Sequence, residues 1–270
     1  MEITEKIFFI GSGNMSQAII KGILEAKLVK AENIICNDIS KEKLSNIQQK
    51  FGVSVVQDKN VAIMRTDIVF IAVKPQNMLE VCNEIKKIVQ TKTLIISIAA
   101  GITTKFIEDS IQKNVSVVRA MSNTPAFVCS AATALCKGKF VSYDQFQKAR
   151  NLFSSIGKVE MLPENRFDII TALSGSGPAY IFYFCELMQK AAEKLGLDRE
   201  IAKIFAVQTV YGSAKMLDIT GEPAEVLKEK VKSPNGTTEM ALKYFEFQNL
   251  PNIVYKAMEQ AMKKSSELTK

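Results

Sequence analysis

Two hydrophobic patterns alternate along the chain before Leu162. Short runs rich in β-branched and aromatic residues are apolar on both faces, as in buried parallel strands. Between them, apolar residues recur every three or four positions, as on one face of a helix. This alternation predicts right-handed βαβ units in a doubly wound sheet. The predicted strands are Ile7–Ile10, Ile34–Cys36, Ile68–Val73, Leu94–Ile98 and Val115–Val118, and the helices between them include Met15–Ala26 and Met78–Val89.

The pattern changes near Leu162, where strand-like runs give way to long helical segments. One of these, Ile201–Leu217, is apolar almost all round, which predicts burial in a bundle core or a subunit interface. We therefore predict an α/β domain over residues 1–162 and an all-α domain over residues 163–270. The predicted helices of the second domain are Ser176–Leu195, Arg199–Ile219, Glu222–Val231, Thr237–Phe245 and Ile253–Leu268.

The composition removes several classes of chemistry. The 270 residues include no histidine, which excludes a serine–histidine or cysteine–histidine triad, a histidine-ligated metal and an imidazole acid–base group. The 5 cysteines form no CxxC pair, and we interpret them as reduced, partly buried packing residues. We therefore predict no metal site, and chemistry that depends on hydroxyls, backbone amides, Lys, Asp, Glu or a bound cofactor.

The net charge of +7 comes from 35 Lys+Arg against 28 Asp+Glu. The lysines are scattered, often beside acids as in Lys41-Glu42-Lys43, which favours solvated faces biased toward small anions over a nucleic-acid surface. The N-terminal residues lack the layout of a signal peptide, and the apolar stretches are shorter than the roughly 20 residues that span a bilayer. We expect a cytoplasmic protein that binds a small molecule and neither nucleic acid nor a membrane.

The first predicted strand runs into a glycine-rich turn, Gly11-Ser12-Gly13-Asn14-Met15, and then into the first helix. Gly11 permits the tight turn, and Gly13 lets the backbone approach a pyrophosphate. The start of the helix supplies free N–H groups and the positive end of its dipole. Because the pattern lies at a strand–turn–helix junction, it predicts dinucleotide binding.

Three further segments follow predicted strands at the same edge of the sheet. Asn37-Asp38 ends the second strand, where an acid favours the free 2′-hydroxyl of NAD over the 2′-phosphate of NADP. Asn37 is the expected strand-terminal residue and Asp38 can point into solvent, so these two residues leave the cofactor open. The next two strands are followed by the turns Lys74-Pro75 and Ala99-Ala100-Gly101, where small residues would let a nicotinamide ring lie against the backbone. Pro75 is also typical of a helix start, and the two interpretations are compatible.

The helical half contains one unusual turn, Ser233-Pro234-Asn235-Gly236-Thr237-Thr238. Proline and glycine break the preceding helix and the hydroxyls can cap the next one, so a plain helix connection is one interpretation. The other is an anion cradle in which N–H groups and the two threonine hydroxyls bind a carboxylate, with Thr238 reaching a second polar atom of the ligand. The pattern alone leaves both open.

These segments together resemble the pyrroline-5-carboxylate reductase family, over nearly the whole chain. The most specific matches are Leu173-Ser174-Gly175-Ser176-Gly177-Pro178-Ala179-Tyr180 and the turn from Ser233 to Thr238. Arg119-Ala120-Met121-Ser122-Asn123-Thr124-Pro125 also matches. The resemblance implies NAD(P)H-dependent reduction of the cyclic imine 1-pyrroline-5-carboxylate to L-proline, the last step of proline biosynthesis. It also implies a Rossmann-type dinucleotide domain followed by an all-α domain that intertwines with a second subunit, giving a homodimer or a higher homo-oligomer.

The resemblance also assigns the site residues. It implies that Thr238 reaches the ring nitrogen as the catalytic residue and that Glu164 is a substrate-side acid. The substrate carboxylate is held by the turn, through Ser233, Asn235, Gly236, Thr237 and Thr238. The expected cofactor is NADP, with NAD as the second candidate. The expected cofactor-binding residues are Gly11, Ser12, Gly13, Asn14, Met15, Asn37, Asp38, Asn60, Ala72, Val73, Lys74, Pro75, Ala99, Ala100 and Gly101.

Three residues depart from the family pattern. Asn235 replaces a glycine, which asparagine tolerates because it adopts left-handed backbone conformations. Ser122 replaces a proline. Asp38 stands where arginine is common, which weakens the expectation of NADP over NAD.

Two alternative functions remain at this stage. A β-hydroxyacid-type dehydrogenase shares the two-domain plan but needs a catalytic lysine three residues after the second glycine of the interdomain helix, where this chain has Tyr180. The second alternative is a non-catalytic dinucleotide sensor whose helical half mediates association.

Overall fold

The computed structural model of the protein describes residues 3–268. The strands in this range are β1 Ile7–Ile10, β2 Ile34–Asn37, β3 Ser54–Val55, β4 Ile68–Ile71, β5 Leu94–Ser97, β6 Ser116–Met121, β7 Ala131–Lys137 and β8 Gly157–Met161. The α-helices are α1 Asn14–Glu25, α2 Lys41–Phe51, α3 Lys59–Met64, α4 Met78–Ile85, α5 Thr104–Ile111, α6 Tyr143–Ser154, α7 Phe167–Ile170, α8 Gly177–Lys194, α9 Arg199–Thr220, α10 Ala224–Val231, α11 Thr237–Phe247 and α12 Leu250–Leu268.

The strands form one 8-stranded sheet in the order β3-β2-β1-β4-β5-β6-β7-β8. All neighbouring strands are parallel except β6 and β7, which are antiparallel. The first six strands have the order of a Rossmann fold, and helices follow after β8. The predicted fold class, an α/β dinucleotide-binding fold followed by helices, is confirmed.

Both faces of the sheet are covered, which explains why its central strands are apolar throughout. Phe9 lies on one face, where its ring stacks on Phe70 with centroids 4.5 Å apart and packs near α1 and α6. The next residue, Phe8, points to the opposite face and joins the core formed with α4 and α5. Both phenylalanines are fully buried.

The described chain divides into two compact units. Unit 1 runs to Gly175 and includes the residues from Ala261 onward, and unit 2 is Ser176–Gln260. Unit 1 therefore extends past the boundary that we predicted after residue 162, because α7 packs on the sheet: Phe167 is buried against Ala134 and Cys136. The division into residues 1–162 and 163–270 as domains stays a prediction.

Unit 2 consists of helices whose large apolar side chains are mostly exposed. In α9, the helix predicted to be buried on most faces, the buried residues are Ala202 and Ala206, whereas Phe205 is 66% exposed. In α8, Phe182 is also 66% exposed. A single chain thus leaves these faces uncovered, as a subunit interface requires. Among the described residues, no helix is both long and apolar enough to cross a membrane.

Candidate functional site

The predicted dinucleotide residues of unit 1 meet at one edge of the sheet. Strands β1, β2, β4 and β5 are parallel, and their ends are in register: Ile10 pairs with Asn37 and with Ile71, and Ile71 pairs with Ser97. The chain segments that follow these four strands are therefore neighbours. Ligands of open α/β sheets bind at this carboxyl edge.

Gly11 holds three of these segments together. It adopts φ +103°, and a Cβ built on it would lie 2.5 Å from the carbonyl oxygen of Ala72. Its N–H donates to the carbonyl oxygen of Asn37 at 2.8 Å. No other residue fits this position without moving the backbone, so the glycine is required by the turn itself.

The start of α1 is open. Gly13 takes the N-cap position in an extended conformation and offers no side-chain acceptor to the first turn. A Cβ added to Gly13 would meet nothing within 4 Å, whereas the Ser16 hydroxyl is buried and donates to the carbonyl oxygen of Gly11 at 2.7 Å. This helix start therefore has both space and unused N–H groups for a phosphate.

Asp38 points into the glycine-rich turn. Its Oδ2 accepts from the backbone N–H of Ser12 at 2.7 Å, and its Oδ1 accepts from the N–H of Ser40 at 2.9 Å. The expectation that Asp38 can point into solvent is therefore wrong, because two backbone donors hold its carboxylate. The amide of Asn37 donates to the carbonyl oxygens of Val56 and Gln57, both at 2.9 Å, so it fastens the chain beyond β3.

The remaining predicted cofactor residues lie on two turns and one helix start. Pro75 begins a short 3-10 helix after β4, as the alternative interpretation of this proline expected. After β5, Ala99 is buried, Ala100 is exposed and Gly101 has φ +71°. Asn60 lies in the first turn of α3, exposed, with its N–H donating to Asp58.

Glu164 forms a cluster with two residues that we did not predict. Its Oε1 accepts from the backbone N–H of Thr104 at 2.8 Å and from Nη1 of Arg119 at 3.1 Å. Its Oε2 accepts from the Thr104 hydroxyl at 2.9 Å. Arg119 is only 3% exposed, and its guanidinium lies 4.6 Å from the ring centroid of Phe167. The sequence signal for this pair is a charged residue, Arg119, directly after the apolar run of the predicted strand Val115–Val118.

The structure explains the serine that replaces a family proline. The Thr133 hydroxyl on β7 donates to the Ser122 hydroxyl at 2.9 Å. Next to it, Asn123 accepts from the N–H of Ala132 and donates to the carbonyl oxygen of Ser174, both at 3.0 Å. Ser174 lies in a π-helical turn, Thr171–Gly175, within one of the two most specific family segments.

The predicted substrate turn lies in unit 2. Asn235 has φ +55°, the left-handed conformation expected for a residue in place of glycine. Gly236 is the N-cap of α11 and carries no side-chain cap; a Cβ there would lie 2.2 Å from the Ser233 hydroxyl. Thr237 and Thr238 form the first turn of α11, Thr237 exposed and Thr238 half-buried.

Glu239 is a residue of this turn that sequence reasoning missed. Its Oε2 accepts from the backbone N–H of Asn235 at 2.6 Å, and its Oε1 pairs with Lys243 at 2.8 Å. The hydrogen bond from Lys243, with that from Asn235, lowers the pKa of the Glu239 carboxyl. Glu239 thus stabilises the turn through the N–H of Asn235. The sequence pattern that could have predicted this contact is a glutamate in the first turn after an N-cap.

Three buried thiols of unit 1, two on strands and Cys82 in α4, are unsuited to chemistry. Burial raises the pKa of Cys36 and of Cys136 to about 12, and that of Cys82 to about 11. A buried thiol of this kind is not a thiolate at neutral pH and does not act as a nucleophile. Across residues 3–268, no group of three or more Cys, Asp and Glu side chains is arranged to hold a metal ion.

The sheet order and the open turn at α1 define the class as a Rossmann-type dinucleotide-binding protein. Residues 164–268 match the family model for pyrroline-5-carboxylate reductase dimerisation, and residues 6–101 match that for NADP oxidoreductase, coenzyme F420-dependent. The chain is 40% identical to the pyrroline-5-carboxylate reductase of Pseudomonas aeruginosa over 267 residues, which is 98% of this chain and 97% of the relative.

Solved structures agree with this relationship. A pyrroline-5-carboxylate reductase from Coxiella burnetii superimposes with a TM-score of 0.93 at 40% identity, covering 99% of this chain and 100% of the other. The pyrroline carboxylate reductase of Plasmodium falciparum, solved with NADP bound, gives a TM-score of 0.89 at 30% identity and covers 100% of both chains. The chain therefore belongs to the pyrroline-5-carboxylate reductase family, a family of oxidoreductases, and the predicted resemblance is confirmed.

Proposed function

We propose that this protein reduces 1-pyrroline-5-carboxylate to L-proline with a reduced nicotinamide dinucleotide, NADPH first and NADH as the second candidate. The observation that carries the proposal is the uncapped start of α11 behind Gly236, on a chain that belongs to this family from end to end. A helix start with free N–H groups and two threonine hydroxyls suits a small carboxylate.

The carboxyl edge of unit 1 fits a dinucleotide. We assign the pyrophosphate to the start of α1, where Gly13 leaves space and N–H groups, together with Ser12, Asn14 and Met15. Asn37, Asp38 and Asn60 are assigned to the adenosine side of the edge. The turns Ala72–Pro75 and Ala99–Gly101 are assigned to the nicotinamide. The bound cofactor supplies the hydride, and the chain supplies its orientation.

The turn of unit 2 is assigned to the substrate. Ser233, Asn235, Gly236 and Thr237 hold the carboxylate, and each charge-assisted hydrogen bond contributes about 1.5–3 kcal/mol. Thr238, half-buried in the first turn of α11, is assigned to the ring nitrogen. Glu164 is assigned to the substrate side of the site, although Thr104 and Arg119 already bond both of its oxygens.

This reaction suits a chain without histidine. A cyclic imine is basic enough to arrive protonated, and its carbon is then already electrophilic. No side chain has to deliver a proton, so what the protein must provide is the placement of that carbon against the hydride donor. The Thr238 hydroxyl fixes the ring nitrogen, and the turn from Ser233 to Thr237, with the uncapped N–H groups at the start of α11, fixes the carboxylate.

The exposed apolar faces of unit 2 support a homodimer or a higher homo-oligomer. We assign small-molecule ligands to the protein, and no nucleic acid. We assign the enzyme to the cytoplasm, since its cysteines are free as in a reducing compartment.

One assay tests the function and its alternatives. Purified protein is mixed with pyrroline-5-carboxylate and either NADPH or NADH, and the absorbance of the reduced nicotinamide is followed. Consumption of the reduced nicotinamide together with formation of proline supports the reductase. A protein that binds the nucleotide without consuming it would be a sensor. A parallel mixture of protein, a β-hydroxyacid and NAD+ or NADP+ tests the dehydrogenase, which would reduce the nucleotide there and consume none with pyrroline-5-carboxylate.

A further inference from the structure

The last turn of α12 belongs to unit 1 and contacts two other segments of that unit. Ser265 is 7% exposed on an otherwise exposed helix end, and its hydroxyl donates to Oδ1 of Asp168 at 2.7 Å. Three residues later, the carbonyl oxygen of Leu268 lies 2.6 Å from the position that a Cβ on Gly101 would take. The helix end thus lies directly against the turn after β5.

These two contacts and the hydrogen bonds of Glu164 form a closed series of contacts that begins and ends at Gly101. Glu164 bonds Thr104, at the start of α5 just after Gly101. Asp168 follows Glu164 by about one helical turn and bonds Ser265. The series runs along the chain from Gly101 to Thr104 and continues through hydrogen bonds to Glu164. It then runs along the chain to Asp168, through a hydrogen bond to Ser265, and along α12 to Leu268, which lies against Gly101. A turn held from both sides has little freedom to move.

We propose that the last turn of α12 positions the Ala99–Gly101 turn for the cofactor, with Ser265 as the positioning residue. Ser265 touches neither substrate nor cofactor in this scheme and acts through Asp168 and Leu268. The inference rests on the proposed function at one point, the assignment of Ala99–Gly101 to the nicotinamide.

Three variants of the full chain test the inference. Ser265→Ala removes the hydroxyl, Ser265→Thr keeps it, and Ser266→Ala is the matched control because Ser266 is the exposed neighbour on the same helix. The dissociation constant of NADPH is measured by its fluorescence on binding, and KM for NADPH and kcat by turnover. Thermal unfolding and light scattering report folding and assembly.

For Ser265→Ala we expect the dissociation constant and the KM of NADPH to rise about three- to tenfold. Ser265→Thr should restore most of the affinity, and Ser266→Ala should match the wild type. If Ser265→Ala lowers the unfolding temperature but has the same dissociation constant and KM for NADPH as Ser266→Ala, Ser265 is merely structural and the inference fails. A wild-type protein that does not bind NADPH or NADH at all would instead overturn the proposed function.

Discussion

The carboxylate of Asp38 accepts a hydrogen bond from the backbone N–H of Ser12, with 2.7 Å between Oδ2 and N. The contact joins the end of β2 to the glycine-rich turn after β1. It places a negative charge on the adenosine side of the edge that we assign to the dinucleotide, where NADP carries a 2′-phosphate and NAD a hydroxyl. The contact therefore bears on the choice between the two cofactors.

Neutralising Asp38 should shift cofactor use toward NADPH. Asp38→Asn keeps an acceptor for the Ser12 N–H but removes the charge, so we expect the ratio of kcat/KM for NADPH to that for NADH to rise about tenfold. The ratio is measured with both cofactors at saturating pyrroline-5-carboxylate. Asp144→Asn, in the exposed first turn of α6, controls for net charge. An unchanged ratio would remove Asp38 from cofactor selection.

The two glycines of the first turn should respond differently to alanine. Gly11→Ala places a Cβ 2.5 Å from a backbone oxygen at φ +103°, so we expect the fold itself to lose about 1–3 kcal/mol. In Gly13→Ala the added methyl group meets nothing within 4 Å and should leave the unfolding temperature of the apoprotein unchanged.

The space at Gly13 should matter for cofactor binding. Because we assign the space at Gly13 to the pyrophosphate, Gly13→Ala should weaken NADPH and NADH together by about tenfold or more. Calorimetric titration measures the affinity, and thermal unfolding without nucleotide measures stability. Equal loss of stability in the two variants would contradict the distinction between Gly11, which the backbone of the turn requires, and Gly13, which leaves space for the pyrophosphate.

The central strands were predictable because both faces of a parallel sheet are buried, which leaves continuous apolar runs such as β1 and β4. Strands β7 and β8 were missed because neither has a continuous run of large apolar residues. In β8, an edge strand, Gly, Lys and Glu alternate with Val159 and Met161, so there is no apolar run. In β7, many of the residues are alanine, which is uncommon in strands. Pairing across the sheet, which no local pattern encodes, makes both of them strands.

The site was predictable where glycines and family motifs fix the backbone, as at Gly11 and Gly236. The site was not predictable where a side chain bonds a residue that is distant in sequence. Asp38 lies 26 residues from Ser12 in sequence, and Arg119 lies 45 residues from Glu164. These pairings depend on how the helices return the chain to the sheet, which spacing along the sequence does not reveal.

The ion pair between buried Arg119 and half-buried Glu164 should contribute to stability. Glu164→Ala leaves the guanidinium without its carboxylate at 3% exposure, and we expect a loss of about 2–4 kcal/mol in unfolding free energy. Arg119→Met combined with Glu164→Ala should recover part of that loss. Asp109→Ala, which breaks the exposed pair with Lys105, should cost about 1 kcal/mol or less. Denaturant unfolding measures all three variants against the wild type, and a loss from Glu164→Ala no larger than that from Asp109→Ala would contradict the role of burial.

The apolar face of α9 should be required for assembly. Phe205→Lys places a charge on a side chain that is 66% exposed in the single chain and, in the proposed oligomer, at the interface between subunits. We expect a shift toward monomer by light scattering and a parallel loss of activity, because a charge buried without a partner is costly. Val128→Lys replaces an apolar residue of unit 1 that is 70% exposed and should change neither. An intact oligomer in Phe205→Lys would place the interface elsewhere.

The Thr238 hydroxyl should act on the substrate and not on the cofactor. Thr238→Ala removes the proposed bond to the ring nitrogen, so we expect KM for pyrroline-5-carboxylate to rise and kcat to fall, together about ten- to a hundredfold in kcat/KM. The dissociation constant of NADPH should stay at the wild-type value, because the hydroxyl is assigned to the substrate and not to the cofactor. Thr238→Ser retains the hydroxyl and should recover most of the activity. If Thr238→Ala has wild-type kinetics, the hydroxyl does not orient the imine, and the backbone N–H groups of the turn would have to do so alone.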